Sequence, residues 1–389
     1  MRVVISSVAK ADLVGRGLAR LTLCFALTLS PALAGAEAPV AELSAAKVEA
    51  VEAAVTTAMA RLGIPGASVA IASGSTLRFA TGYGLADVEN GVPAKAVTAY
   101  RLASVSKPMT AVAVLKLVEE GKLDLDAPIQ RYVPSFPEKP FPVTARQLLG
   151  HLGGVRHYRD DEPTNTKPYS GVESGLSFFK EDALVAEPGT RYLYSTYGYN
   201  LLGAAIEGAS GRPYLDYLRE AVFARVGMTA IRADEVRHLI PNRAQGYVRT
   251  KAGELQNSGL ADVSYKVPGG GLIATASDVA RFGAALAGGA LLNRDSLAAM
   301  LTPQREKGGR STGYGLGLDV TANGKRREAW HTGGQERVST VVFLLPGDGL
   351  SVAVLTNLEG VGPELVILAR RLAELAEAPE GAPPALPKR

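Results

Sequence analysis

The sequence predicts an α/β fold of the α+β kind: an antiparallel sheet flanked by N- and C-terminal helices, with an inserted, mainly helical lobe. Strand-like and helix-like patterns occur at both ends of the chain, near residues 46–81 and 313–376. The middle, residues 101–265, shows helical patterns interrupted by Pro, Gly and Tyr. Because strands at both ends need a common core, we expect one sheet built from both ends and a lobe inserted between them.

The first 36 residues have the pattern of a secretory signal peptide. A basic start precedes an apolar run at residues 21–34, which ends in small residues. This run is shorter than the roughly 20 residues that a membrane-spanning helix needs. The pattern predicts a cleaved signal peptide at 1–36 and a periplasmic or secreted protein, with a membrane anchor or a mis-assigned start codon as alternatives. Residues 37–45 are predicted to be a linker.

Helical spacing of apolar residues predicts the helices. Residues 46–62 carry such a pattern and stop at a Gly-Ile-Pro-Gly turn. Residues 103–120 form a strongly apolar helix, which must be buried. The same criterion predicts further helices near residues 144–150, 197–210, 212–225, 278–287 and 364–376.

Apolar stretches bounded by Gly, Asn and Ser predict the strands. Residues 67–72 and 76–81 flank a Gly-Ser turn and form an antiparallel hairpin. The C-terminal strands are predicted at residues 313–320, 327–331, 338–345 and 350–356. The Pro- and Ala-rich tail, 378–389, is predicted to be disordered.

These elements make one domain at 46–377. Its α/β lobe comprises 46–100 and 266–377, and its helical lobe comprises 101–265. A cleft between two lobes is the expected place for a functional site.

The composition excludes several classes of protein. The chain has 42 basic and 38 acidic residues and a net charge of +4, too small to indicate nucleic-acid binding. Its single cysteine, Cys24, lies in the predicted signal peptide, so the mature chain has no thiol nucleophile and no disulfide. No later apolar stretch predicts a membrane span. H-E-x-x-H and Walker A motifs are absent, and we expect no metal and no cofactor.

Ser104 and Lys107 form one of four S-x-x-K patterns in the chain. The other copies lie in the signal peptide, at the start of the first helix and in the irregular middle. Only Ser104 opens a long apolar helix, where a serine and a lysine three residues apart share one face. Burial lowers the pKa of a lysine, so its amine can accept the serine proton. The alternative is an N-cap serine beside a solvated lysine.

Tyr194, followed by Ser195 and Thr196, precedes a second apolar helix. A tyrosine near a lysine can be held partly as phenolate and act as a general base, whereas on its own it is more typical of a core aromatic. His151 and His157 are six residues apart and do not share a helix face, so we do not expect them to bind a metal.

The segment His331-Thr332-Gly333-Gly334 follows a predicted strand. Its two glycines allow a substrate to approach the backbone closely. A backbone N–H at this point can complete an oxyanion hole. The alternative is a strand-end turn with a surface histidine.

Together these segments resemble the penicillin-recognising serine hydrolases, in particular class C β-lactamases, D-alanyl-D-alanine carboxypeptidases and related esterases. The three motifs occur in the family's order. The resemblance covers roughly residues 46–375 and implies the β-lactamase/transpeptidase-like fold. The stretches HLGGVRHY and YST are also similar to the mitochondrial β-lactamase-like serine proteins, some of which act as scaffolds. The segments that look like family signatures are 101–110, 147–155, 188–203, 268–275, 314–318 and 331–334.

The resemblance implies a role for each motif residue. Ser104 is the nucleophile, Lys107 is its proton partner, and Tyr194 is a base and then a proton donor to the leaving group. The N–H groups of Ser104 and Gly334 form the oxyanion hole. The implied reaction is acylation of the serine followed by hydrolysis of the acyl-enzyme. The remaining residues implied in substrate binding are His331, Thr332, Gly333 and Thr196.

Two motif positions depart from the family pattern. Thr196 stands where Asn is usual and loses an amide that helps to hold Lys107 and the substrate. His331 stands where β-lactamases often have Lys, and it is neutral near pH 7 unless its pKa is raised. Both changes weaken recognition of an anionic β-lactam or of a peptide carboxylate.

The sequence therefore predicts an exported serine hydrolase that forms an acyl-enzyme on an ester or a peptide. The alternatives are a class C-like β-lactamase and a non-catalytic scaffold on the same fold. The expected partner is a small-molecule ester, peptide or β-lactam-like substrate, and the sequence does not predict an oligomeric state.

Overall fold

The computed structural model describes residues 40–41, 43–324 and 326–379. The predicted signal peptide with Cys24, residues 37–39 and 42 of the predicted linker, and the tail from residue 380 lie outside the described residues. In the described part of the chain, no helix combines the length and apolar character needed to cross a membrane.

Most of the long helices begin and end near their predicted positions. Gly63 ends the first of them in a left-handed conformation, with φ +64°. The predicted helix at 212–225 is instead a short α-helix followed by a π-helical turn, Arg219–Phe223. The α-helices are α1 (Ala45–Leu62), α2 (Ser106–Glu119), α3 (Ala145–Leu149), α4 (Gly171–Gly175), α5 (Thr196–Ser210), α6 (Tyr214–Leu218), α7 (Val267–Gly270), α8 (Ala276–Ala287), α9 (Arg294–Met300) and α10 (Gly362–Glu377).

Within the part of the chain that the structure describes, the strands fall into one large sheet and two small ones. They are β1 (Val40–Ala41), β2 (Gly66–Ser73), β3 (Thr76–Asp87), β4 (Val92–Pro93), β5 (Ala99–Arg101), β6 (Arg232–Ala233), β7 (Tyr247–Arg249), β8 (Leu255–Asn257), β9 (Leu272–Thr275), β10 (Asp319–Asn323), β11 (Arg326–Gln335), β12 (Val338–Leu345) and β13 (Leu350–Thr356).

The large sheet is antiparallel and joins both ends of the chain. Its strands lie in the order β1-β3-β2-β13-β12-β11-β10, and β4 pairs with β3. β2 pairs with β13, with Val69 opposite Val354, so the N-terminal hairpin is continuous with the C-terminal strands. The predicted α+β fold, with an antiparallel sheet and flanking terminal helices, is therefore confirmed.

Both faces of this sheet are covered, which explains why its central strands are almost uniformly apolar. On β12, Val341 and Phe343 face a core shared with α1 and α10, whereas Val342 and Leu344 face the core of α2, α5 and α8. Successive side chains of a strand point to opposite faces. The sheet therefore lies between the terminal helices on one face and the helical region that holds the site on the other.

Three local features differ from the sequence predictions. The strand predicted at 313–320 is wrong over most of its length, because Gly313 and Gly317 take φ values of +73° and +98°, which belong to turns. Val40–Ala41, within the predicted linker, pair with β3. The small sheet β5-β9-β6 was not predicted, and it brings α7 to the start of α2 by pairing Arg101 with Ile273.

The contact between α8 and the sheet yields a stability prediction. A Cβ on Gly283 would overlap Ser351 Oγ on β13 and lie 3.1 Å from Val342 Cγ2. A helical Gly→Ala change ordinarily stabilises by about 1 kcal/mol. Here we expect Gly283→Ala to destabilise by about 1–3 kcal/mol, because the site is already filled. Urea unfolding measures the change in the free energy of unfolding.

Two further variants control this experiment. Ser351→Ala in the Gly283→Ala background removes the nearest atom and should recover part of the loss. Gly308→Ala, where an added Cβ meets nothing within 4 Å, should change stability by less than about 0.5 kcal/mol. A Gly283→Ala protein as stable as the wild type would contradict the close approach of α8 to β13.

Candidate active site

Ser104 lies in a single 3-10 turn, Ala103–Val105, that leads into α2. Ala103 adopts φ +48°, a left-handed conformation that costs a non-glycine residue about 1–3 kcal/mol. Between Arg101 and Thr110, Ser104 is the residue that is partly exposed, and the others are buried. The strained turn therefore presents one hydroxyl at the head of a buried helix.

Lys107 is fully buried, and its amine meets three oxygens. Its Nζ lies 2.9 Å from Ser104 Oγ, 3.1 Å from Thr196 Oγ1 and 2.6 Å from the carbonyl oxygen of Gly269. Burial lowers the pKa of Lys107 well below its usual value, and the nearby charge of Lys266 lowers it further. The predicted pairing of Ser104 with Lys107 is present, and the alternative of a solvated lysine is wrong.

Thr196, the first residue of α5, holds Lys107 through its hydroxyl. The absence of an asparagine amide at this position predicts that Lys107 is held less well. The structure shows that Thr196 Oγ1 keeps one contact with Nζ and that the Gly269 carbonyl provides another. A side chain on Gly269 would crowd Thr196, so glycine permits this approach of α7.

Tyr194 lies over the same amine. Lys107 Nζ is 4.9 Å from the centre of the Tyr194 ring. A hydrogen bond with Ser104 lowers the phenol pKa, but burial raises it more, and the net pKa lies well above its usual value. This opposes the phenolate expected from the sequence, because burial favours the neutral forms of both Lys107 and Tyr194.

The two glycines of the third motif have different surroundings on β11. A Cβ on Gly333 would overlap the Leu102 carbonyl and Thr340 Oγ1, whereas a Cβ on Gly334 would meet nothing within 4 Å. Gly333 therefore lets β11 pack against the turn that carries Ser104. Gly334, which is exposed, leaves the backbone open, as the sequence analysis expected of both residues.

Beside the site, one edge of β11 has no partner strand among the described residues. β10 pairs with β11 only as far as Trp330, opposite Asp319. Beyond that point, residues 331–335 pair with β12 on the other side. A strand edge of this kind offers backbone groups to an extended ligand.

His331 is neutral and buried rather than a surface residue. It is 3% exposed, with Nδ1 2.6 Å from the carbonyl oxygen of Thr332 and Nε2 3.0 Å from the Tyr314 hydroxyl. A carbonyl only accepts, so we assign the proton to Nδ1 and the acceptor role to Nε2. Burial lowers the pKa of His331 to about 3.

Sequence reasoning gave no site role to His151, His157 or Lys266. Both histidines contact the Tyr194 ring. Lys266 is 1% exposed, and its Nζ lies 4.8 Å from the ring centre of Tyr158. The spacing of His151 and His157 bears only on metal binding, which it disfavours. Their position in segment 147–158, which resembles a family signature, is the feature of the sequence that could have indicated a site role.

Comparison with known proteins supports the motif resemblance. A family model described as Beta-lactamase matches residues 51–377. The chain is 31% identical to the human serine beta-lactamase-like protein LACTB, mitochondrial, across 77% of this chain and 75% of that protein. It is 29% identical to penicillin-binding protein 4* of Bacillus subtilis, across 75% of this chain and 68% of that protein.

Solved structures share the same fold. The octameric penicillin-binding protein homologue from Pyrococcus abyssi has a TM-score of 0.70 at 28% identity, covering 84% of this chain and 77% of that chain. The D-amino acid amidase from Ochrobactrum anthropi SV3 has a TM-score of 0.73 at 25% identity, covering 86% of this chain and 100% of that chain. Because the family model spans well over half of the chain, the protein belongs to the β-lactamase family and is a serine hydrolase.

Proposed function

We propose that the protein is an exported serine hydrolase that forms an acyl-enzyme on Ser104 with an ester or a peptide. The observation that carries the proposal is the set of contacts around Lys107 Nζ, with Ser104 Oγ at 2.9 Å. A neutral amine has two N–H donors and one lone pair. When the donors are used by Gly269 and Thr196, the lone pair is left for the proton of Ser104.

Acylation begins with this proton transfer. Lys107 takes the hydroxyl proton as Ser104 Oγ forms a bond with the substrate carbonyl carbon, and the carbonyl oxygen becomes an oxyanion. The N–H groups of Ser104 and Gly334 donate to that oxyanion. Gly334 suits the role because it lies in the part of β11 that has a partner strand on one side only among the described residues, and because an added Cβ there meets nothing within 4 Å.

Tyr194 then protonates the leaving group. As a neutral phenol beside Ser104, it donates its proton to the leaving oxygen or nitrogen, and the bond from that atom to the carbonyl carbon breaks. The Lys107 ammonium returns a proton to Tyr194. In the second half-reaction, Lys107 removes a proton from a water molecule as the water oxygen attacks the acyl carbon. Lys107 then returns this proton to Ser104 Oγ as the bond from Oγ to the acyl carbon breaks.

The cleft supports an ester or a peptide better than a β-lactam. His331 is neutral, since its pKa is lowered to about 3, and so provides no cation for a carboxylate. Similar proteins include one named penicillin-binding protein and one named D-amino acid amidase, names that agree with acyl chemistry. The intact set of Ser104, Lys107 and Tyr194 argues against a purely scaffolding role.

Export forms part of this proposal and rests on the pattern of residues 1–36. A basic start, a short apolar run and small residues at its end are the features that a signal peptidase recognises. The mature protein would act in the periplasm or outside the cell.

The first prediction concerns the acyl-enzyme. We expect p-nitrophenyl butyrate to add a butyryl mass to the intact protein, located on Ser104 by peptide mapping, and Ser104→Ala to show no adduct. A D-alanyl-D-alanine peptide should acylate more slowly, and a fluorescent penicillin should react least. Failure of all three to form an adduct would contradict the proposal, and rapid nitrocefin turnover would favour a β-lactamase.

The second prediction isolates Lys107 from other lysines. Lys107→Met removes the proton acceptor and should lower kcat/KM for p-nitrophenyl butyrate by about 10²–10⁴-fold. Lys122→Met is the control, since Lys122 lies just after the same helix and pairs with Glu120 at the surface, where the Lys122 side chain is 52% exposed; such a pair is worth at most about 1 kcal/mol. Equal losses in both variants would argue against a specific role for Lys107.

The third prediction distinguishes the role of Tyr194 from that of Lys107 by comparing substrates with different leaving groups. p-Nitrophenolate departs without a proton, whereas an amine must be protonated. Tyr194→Phe should therefore lower peptide hydrolysis by about 10²-fold or more and nitrophenyl ester hydrolysis only severalfold. Steady-state kinetics on both substrates measures the ratio, and an equal loss on both would contradict the donor role.

A further inference from the structure

The loop from His151 to His157 is hydrogen-bonded to the segment that carries Tyr194. Leu193 N–H donates to the carbonyl oxygen of His151 at 2.8 Å. Ser195 Oγ donates to the carbonyl oxygen of Arg156 at 2.7 Å. Two further bonds use imidazole nitrogens as acceptors, one from each histidine. We call this set of four bonds the histidine clamp.

His151 accepts from the residue after Tyr194. Ser195 N–H donates to His151 Nδ1 at 3.1 Å. The His151 ring is 2% exposed and packs on Tyr194, with ring centres 4.3 Å apart. Its Nε2 has no hydrogen-bond partner among the described residues, so Nδ1 is the ring nitrogen through which His151 is hydrogen-bonded. His151 also holds φ +57°, a conformation that needs support from its surroundings.

His157 accepts from the next residue along. Thr196 N–H donates to His157 Nδ1 at 3.2 Å. Thr196 is the first residue of α5, and the first N–H groups of a helix have no partner within the helix. The His157 ring stands edge-on to Tyr194, with ring centres 5.5 Å apart. The histidine clamp thus places two imidazole rings against Tyr194 and hydrogen-bonds to the residues on both sides of it in the chain.

The histidine clamp is connected to the reacting groups through Tyr194 and Thr196. The Tyr194 phenol is hydrogen-bonded with Ser104, and Thr196 Oγ1 accepts a hydrogen bond from Lys107 Nζ. In the described residues, neither imidazole hydrogen-bonds to Ser104 or Lys107. The histidines therefore act through the backbone of residues 194–196 and are positioning residues, since a shift of about 1 Å in a reacting group costs up to about 10²-fold in rate.

We propose that His151 and His157 position Tyr194 and Thr196 for acylation by accepting backbone N–H bonds through neutral imidazole Nδ1 atoms, an inference that rests on the proposed function of Ser104. Each ring must carry its proton on Nε2 for this purpose. Protonation of Nδ1 converts the acceptor into a donor that faces another N–H. The clamp then opens, and acylation slows without loss of the nucleophile.

The surroundings keep both histidines neutral at ordinary pH. Burial lowers the pKa of His157 to about 4, and neighbouring cations add to the effect while Glu162 opposes it. Burial lowers the pKa of His151 well below its usual value. The charged or titratable groups that face the two rings are Lys107, Lys266, Arg156, Glu162, His331, Tyr158, Tyr192, Tyr194, Tyr199 and Tyr314.

Substitutions that keep or remove the acceptor test the clamp. Asn places an amide oxygen near the position of Nδ1 and tolerates the left-handed backbone of residue 151, whereas Ala offers no acceptor. With a D-alanyl-D-alanine peptide, whose amine leaving group needs the Tyr194 proton, we expect His151→Ala and His157→Ala to lower kcat about 10–100-fold with KM changed less than about threefold. The Asn variants should stay within about fivefold of the wild type. His238→Ala removes an exposed histidine that pairs with Glu235 and should change neither value.

The pH profile gives a readout that a structural role would not move. Asn does not titrate, so the ratio of kcat for His157→Asn to that for the wild type should rise about twofold between pH 6 and pH 4, since half of His157 is protonated at a pKa of about 4. Taking the ratio cancels the titration of Lys107. A constant ratio, or Asn variants as slow as the Ala variants with unchanged thermal unfolding, would overturn the proposal.

Two measurements keep the outcomes distinct. If the wild type forms no adduct on Ser104, the proposed function fails, and the clamp is then judged by imidazole ¹⁵N NMR, which should show unprotonated Nδ1 in both histidines at pH 7. If the wild type acylates and all four variants match it, the clamp fails and the proposed function stands. Thermal unfolding of each variant identifies any Ala protein that does not fold, and the Asn variants and the pH ratio then decide.

Discussion

The burial of one amine, the Nζ of Lys107, is the constraint on which the rest of the site depends. A fully buried ammonium would be costly to desolvate, so the site stabilises the neutral amine and surrounds it with two acceptors and the Ser104 hydroxyl. The Gly269 carbonyl can reach it only because α7 approaches Thr196 closely. Burial also raises the pKa of Tyr194 and keeps its side chain a phenol. Lys107 is therefore the proton acceptor and Tyr194 the proton donor.

Like Lys107, the histidines of the cleft are held in their neutral forms. His151, His157 and His331 all have lowered pKa values, chiefly because they are buried. Each ring uses a nitrogen to accept a hydrogen bond: two from backbone N–H groups and one from the Tyr314 hydroxyl. The proposed preference for an ester or a peptide rests on this point, because a neutral His331 provides no cation for a carboxylate.

Local periodicity explains why part of the site was predictable. Ser104 and Lys107 are three residues apart at the head of an apolar helix, so their contact follows from helix geometry. Motif order placed Tyr194 and His331 in the cleft through the family resemblance. The function of Thr196 as a partner of Lys107 was not predictable, because its hydroxyl compensates for a missing amide only at the distance that the fold provides. The structure disfavours the phenolate that sequence reasoning allowed for Tyr194, because burial raises the pKa of its phenol.

The sequence by itself determined the α+β architecture, the order of the three motifs and the hydroxyl–amine pair on α2, because these depend on residue type and short-range spacing. Tertiary structure alone decided the protonation states, the separate surroundings of Gly333 and Gly334, and the contact of His151 and His157 with the segment 193–196. Each of these depends on desolvation or on the packing of elements distant in the chain. Such effects are set by distances between side chains, which no local pattern encodes.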